Sequence, residues 1–282
     1  MECRRVSRSV NGNRVMEGAG VSLRRMAGFY EKEWLDPFLM LDYFGSADEV
    51  DYMAGFPWHP HRGIETVTYM LEGAVRHEDS LGNSGVINTG DVQWMTAGSG
   101  IIHQEMPVGG QAPMYGFQLW VNLPRDQKLC HPKYRDITTA DIPVVREPGC
   151  DIRIIAGTYE GTAGPVHDLV MAPFYYDVTL SPGTVKHFEV PESYNVLACC
   201  FQGSGRLGER PEDAVTGPVL VQLESGTTVR AEAGESGLRF LLLGGEPLRE
   251  PIAWRGPIVM NTDEELRAAF TEYHNNTFLK HG

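Results

Sequence analysis

The chain has 282 residues, with 24 Lys and Arg against 37 Asp and Glu and a formal net charge of −13. That acidic balance disfavours direct binding to nucleic acid, whose phosphates are met by clustered cationic side chains. No stretch approaches the roughly 18 apolar residues of a membrane span, and MECRRVSRSVNGNR at the N-terminus has no apolar run after its basic residues, so a cytoplasmic protein without membrane contact is expected.

At 42% hydrophobic and 22% charged residues, the chain can bury one large core or two smaller ones, and its 32 Gly and 18 Pro imply many turns between short strands. The predicted class is all-β. Cys3, Cys130, Cys150, Cys199 and Cys200 are odd in number and contain no CxxC pair, which indicates neither a disulfide framework nor a thiolate zinc site. Cys199 and Cys200 are expected on opposite sides of one strand.

In chain order, β-rich runs bounded by Gly, Pro, Asn or Asp occur at 67–70, 85–87, 92–95, 115–121, 152–155, 175–180, 194–201, 219–223 and 238–243. Within 115–121, Tyr115, Phe117, Leu119 and Val121 share one face and Gly116, Gln118 and Trp120 the other, so both faces should be covered. Residues 123–142, with two prolines and mixed charge, break the rhythm and read as a connection between two β units. The boundary is placed at 140, giving domains 1–140 and 141–282. Near the C-terminus, Thr262 and Glu265 form a capping-box pattern ahead of Leu266, Ala269, Phe270 and Tyr273. One amphipathic helix is expected there, packed over a sheet.

The chemistry is concentrated in GFPWHPHRGIETVTYMLEG, residues 55–73, and GDVQWMTAGSGIIHQEMP, residues 90–107. His59 and His61 are two positions apart, so on a strand both imidazoles project to one face, and His103 and Glu105 repeat that spacing. Two neighbouring strands presenting such pairs inward can form a site of three nitrogens and one carboxylate, with up to two positions of an octahedron open. Ligands of this kind without thiolate suit Fe(II), Mn, Co, Ni, Cu or Zn. His77, His131, His167, His187, His274 and His281 show no comparable pairing and read as surface or structural. Phe56, Trp58, Trp94 and Met95 flank the ligands, as pocket walls or as barrel core. Arg62 and Glu65 are expected to pair with outward-facing neighbours. The two GSG tripeptides precede no capped helix, so nucleotide binding is not supported.

The blocks HPHRGIETVTYMLEG, GDVQWMTAGSGIIHQEMP, FQLWVNLP and GEPLREPIAWRGPIVMNTDEE, in this order, resemble the pirin family of the cupin superfamily over most of the chain. A general cupin carries a further ligand Glu after its HxH pair, but counting back from Gly73 puts Thr66 at that position and turns Glu65 to the other side. In pirins the carboxylate comes from the second motif. The resemblance therefore implies the metal ligands His59, His61, His103 and Glu105, and an iron ion as cofactor. It also implies a bicupin, two antiparallel jelly-roll β-barrel domains, of which the second, lacking an HxH pair, holds no metal. The activity implied by bacterial pirin-like proteins is that of a quercetin 2,3-dioxygenase, acting on a flavonol-like aromatic substrate and O2 and releasing CO, with Glu105 as catalytic base. The resemblance to eukaryotic pirins implies an alternative, an iron-dependent, redox-sensitive regulator working through a protein partner. A monomer is expected from the same resemblance.

Overall fold

The computed structural model describes residues 2–109 and 113–281. Period-two patterning produces the expected strands: the run 67–70 lies within Ile64–Glu72, 115–121 within Met114–Asn122, and 238–243 within Thr228–Gly245. The fold is an all-β bicupin, two antiparallel units of jelly-roll type with a short C-terminal helix. Among the described residues no helix is long and apolar enough to cross a membrane.

The chain enters the two units discontinuously. One, here the histidine unit, takes Asn13–Tyr30, Phe38–Thr139 and Leu248–Gly282; the second takes Met1–Gly12, Glu31–Pro37 and Ala140–Pro247. The contiguous division expected from the sequence, 1–140 and 141–282, differs from this grouping. The chain does change units between Thr139 and Ala140, but pieces near both ends belong to the opposite unit. Strand pairing is the cause. Val6–Val10 hydrogen-bonds to Val219–Leu223 at the edge of the second unit's sheet, while Val259 donates its backbone N–H to the Arg62 carbonyl in the histidine unit at 3.1 Å.

The histidine unit contains a seven-stranded antiparallel sheet, in the order Lys133–Ile137, Val92–Thr96, Ile64–Glu72, Met114–Asn122, Phe38–Ser46, Val21–Ala27 and Asn13–Glu17. A four-stranded sheet follows the order Phe56–His61, Ile101–Pro107, Ala74–Asp79 and Ser84–Asn88. The segment 123–142 is not merely a connection, because Lys133–Ile137 within it pairs with Val92–Thr96 as an edge strand. In Met114–Asn122, Phe117, Leu119 and Val121 are buried, whereas Gln118 and Trp120 on the other face line a cavity. Both faces are covered, since on the cavity side Met114 and Trp120 also pack against buried apolar clusters.

The C-terminal helix Asp263–His274 starts where the capping box predicts: Thr262 Oγ1 accepts from the Glu265 N–H at 3.2 Å and Glu265 Oε2 from the Thr262 N–H at 2.9 Å. Its buried residues Leu266 and Ala269 pack with Ile258, Met260 and Phe278. The second unit is built on a nine-stranded sheet whose core includes Ile152, Val178, Cys200, Phe240 and Leu242. Cys199 and Cys200 alternate across one strand, both fully buried, and burial pushes both thiols up. The buried Arg4 fixes the N-terminal segment to this unit by donating to the carbonyls of Gly226, Pro191 and Glu192 at 2.8, 2.8 and 3.2 Å.

Candidate metal centre

Phe56–His61 and Ile101–Pro107 pair antiparallel, with His59 opposite His103 and His61 opposite Ile101. The pleat then points His59, His61 and His103 to one face. One ring nitrogen from each lies within 4.8 Å of the others, and the ring centroids stand 4.4 Å apart for His59 and His103, 5.0 Å for His61 and His103 and 4.9 Å for His59 and His61. Among the described residues no other group of three His, Cys, Asp or Glu has this geometry.

The outer nitrogens decide what the inner ones can do. His59 Nδ1 meets the Pro57 carbonyl at 2.8 Å and His61 Nδ1 meets that of Pro257 at 3.0 Å. A carbonyl only accepts, so both Nδ1 atoms carry hydrogen and donate, and both Nε2 atoms are turned inward. Those two Nε2 atoms are 3.1 Å apart, and His103 Nε2 is buried without a partner. Burial, reinforced by neighbouring imidazoles, pushes His61 and His103 well below the usual histidine range, so both rings are neutral. Three ring nitrogens that converge at these distances, one of them buried without a partner, fit a cation, and these three residues could hold a metal ion.

Glu105 stands differently. After a register shift it lies opposite Phe56, and its Oε1 accepts from Thr68 Oγ1 at 2.8 Å. Gln118 Nε2 approaches its Oε2 at 3.3 Å and donates to Thr68 Oγ1 at 3.0 Å. The carboxylate lines the same cavity as His59 and His61 but is outside the close group of three nitrogens. Thr68 and Gln118, on the facing sheet, were not singled out from the sequence; their side chains meet Glu105 only through the strand register.

The cavity has a volume of about 740 Å³. Its aromatic wall includes Phe56, Phe29, Trp120 and Trp254; the Trp120 ring is 5.0 Å from His61 and 5.8 Å from Trp254. Of the other flanking residues, Trp94 and Met95 are fully buried and Trp58 is 49% exposed. Across the sheet, Arg25 pairs with Asp42 through two bonds of 3.0 and 2.8 Å and with Glu17 at 2.8 Å.

Two sequence readings are corrected, those of Arg62 and Glu65. Arg62 is buried, donating to the carbonyls of Ser99 and Phe278 and to Glu272, each at 2.7 Å. Glu65 is also buried, accepting from Thr96 Oγ1 at 2.7 Å, and burial raises its carboxyl. Neither faces outward. His77 is fully buried against His103, with Nδ1 atoms 3.4 Å apart. Its signal was available: His77 and Asp79 have the same two-residue spacing as His59 with His61 and His103 with Glu105. His187 is exposed, as read.

Comparison with known proteins agrees with this architecture. The Pirin family model matches residues 20–121, and the model described as the Pirin C-terminal cupin domain matches 175–279. A pirin-like protein of Caulobacter vibrioides is 46% identical over 99% of this chain and 100% of its own. Rat pirin is 38% identical over 96% of this chain and 92% of its own. The crystal structure of quercetin 2,3-dioxygenase from Acinetobacter baumannii superposes with a TM-score of 0.90 at 33% identity, covering 98% of this chain and 99% of that one. By two family models in sequence order and by relatives matched along nearly its whole length, the chain belongs to the pirin family.

Proposed function

We propose that this protein is a metal-dependent dioxygenase that cleaves a flavonol such as quercetin, or a similar chelating aromatic, with O2 and release of CO. The observation that carries the reading is the convergence of three imidazole nitrogens, two of them from residues lining an aromatic-walled cavity that also holds a positioned carboxylate. His59, His61 and His103, with Glu105, are the residues that would hold an ion, Fe(II) foremost. When bound, such an ion supplies Lewis acidity toward a chelating oxygen and access to O2 chemistry.

The remaining work falls to the chain. Trp120, Trp254 and Phe29 offer ring faces to a planar substrate and exclude water from its reacting end. Glu105 takes the proton of the flavonol 3-hydroxyl; Thr68 and Gln118 limit its rotation so that the free lone pairs stay toward the cavity. Burial keeps His61 and His103 in the neutral form that ligation requires.

The test is metal analysis of protein purified under mild conditions, then an anaerobic flavonol titration followed by air. Wild type is expected to consume O2 and release CO, and Glu105→Ala to lose about 10²–10⁴-fold in rate. A metal-loaded wild type that neither consumes O2 nor releases CO with several flavonols would overturn the proposal.

A further inference from the structure

The four-stranded sheet brings a third pair beside the two ligand pairs. Ala74–Asp79 runs antiparallel to Ile101–Pro107 with Asp79 opposite His103 and His77 opposite Glu105, so all four side chains leave the sheet on one face. His77 is fully exposed to neither solvent nor cavity: it is 0% accessible, stacks on Tyr134 with centroids 4.9 Å apart, and turns Nδ1 to His103 Nδ1 at 3.4 Å and Nε2 to Asp79 Oδ2 at 3.3 Å.

The protons along this row follow from one condition. If His103 offers the Nε2 lone pair to an ion, its hydrogen is on Nδ1 and must be donated. The group that faces it is His77 Nδ1, which accepts only if the His77 hydrogen is on Nε2, and that hydrogen then points at Asp79. Asp79 is built to receive it. Its Oδ1 takes the backbone N–H groups of Leu81 and Asn83 at 2.9 and 3.0 Å, and its Oδ2 takes Asn83 Nδ2 at 2.9 Å. Burial raises this carboxyl, but the bonds from His77, Asn83 and Leu81 together hold it below the usual carboxylate range. His59 and His61 rest on neutral proline carbonyls, so the anchoring of the third ring through an imidazole to a carboxylate is a different device.

We propose that His77, anchored by Asp79, is a positioning residue that fixes the tautomer and ring orientation of His103 and so sets the affinity of the three-histidine centre for a divalent ion. The proposal rests on the metal-holding reading above. Groups behind a ligating histidine typically contribute 10–100-fold in metal affinity.

The experiment titrates full-length, metal-free protein with Co(II) at fixed pH, read by calorimetry and by visible absorption. His103→Ala is expected to lose the site, and His77→Phe to bind about 10–100-fold more weakly. His77→Gln should recover most of that loss, because its amide oxygen can accept from His103 Nδ1 while its NH2 donates to Asp79. His77→Phe and His77→Gln binding as tightly as wild type, with His103→Ala defective, would overturn the proposal and leave the metal reading standing. A wild type that does not bind Co(II) would overturn both. Long-range 1H–15N spectra of metal-free wild type supply a readout independent of any variant's folding: His77 should be protonated at Nε2 and His103 at Nδ1, and a His77 proton on Nδ1 would refute the arrangement.

Discussion

Lys128 is 2% exposed, and its Nζ donates to the Gly63 carbonyl at 2.9 Å and to Asn122 Oδ1 at 2.6 Å. A neutral amine has two N–H bonds, which these two acceptors use. Burial pushes the group down to about 7, with Glu250 and Glu265 pulling the other way. The contact matters to the candidate centre because Gly63 follows His61 by two positions and sits at φ 78, where a side chain would strike the Val259 carbonyl. The sign of the pH effect follows. In the unfolded chain the lysine titrates near about 10.4, so between about pH 7 and 10 the unfolded state binds more protons at this site and stability rises with pH, by at most about 1.4 kcal/mol per unit. Below that window both states are protonated and the contribution is flat. Urea midpoints of wild type and Lys128→Met, measured from pH 6 to 9.5, should diverge above pH 7, with wild type gaining. Parallel curves would contradict the assignment. Lys128 could not be picked out beforehand, since it is one charged residue in a segment that reads as a polar connection, and only the packing of that segment removes it from water.

The strands carrying the histidines are held by elements distant in sequence. Arg62 joins the turn at Ser99 to the C-terminal helix through Glu272 and to the tail through the Phe278 carbonyl, and its guanidinium lies 4.1 Å from the Phe278 ring centroid. Phe278 is 1% exposed, and its ring and carbonyl close over Gly100, which begins the approach to His103. Phe278→Ala removes a buried ring beside the second motif and is expected to cost about 3–5 kcal/mol. Because the same ring supports the turn before His103, Co(II) affinity should weaken in the folded variant. Calorimetric melting with and without Co(II) checks both effects; an unchanged melting temperature would show that the tail is not part of the unit's core. The elements themselves were legible where one local pattern sufficed: the two-residue spacing of His59 and His61 and of His103 and Glu105, and the capping box at Thr262 and Glu265. The partners of Arg62 were not, because Glu272 and Phe278 are 210 and 216 positions away and nothing in the local pattern specifies that approach. Glu105 shows the same division, its face readable from the strand period but its hold on Thr68 and Gln118 dependent on register between sheets.

At the scale of the molecule, the discontinuous grouping of the chain makes the histidine unit depend on its last segment, Leu248–Gly282, as much as on the motifs themselves. The Pro257 carbonyl that orients His61 comes from that segment, as does the helix against which Arg62 is held. An ion bound only by the native centre stabilises the unit that forms it, by about 2.7 kcal/mol at a free concentration 100-fold above Kd. Hydrogen exchange measured with and without saturating Co(II) should therefore slow in Phe56–His61, Ile101–Pro107 and Ile258–Met260. The core strands of the second unit, such as Phe174–Leu180 and Val219–Leu223, carry none of the three converging histidines and should exchange at the same rate in both conditions. Protection confined to the two motif strands would show that the C-terminal segment does not support the centre; equal protection in both units would show that they open as one cooperative body and that the division by contacts is not a division in stability.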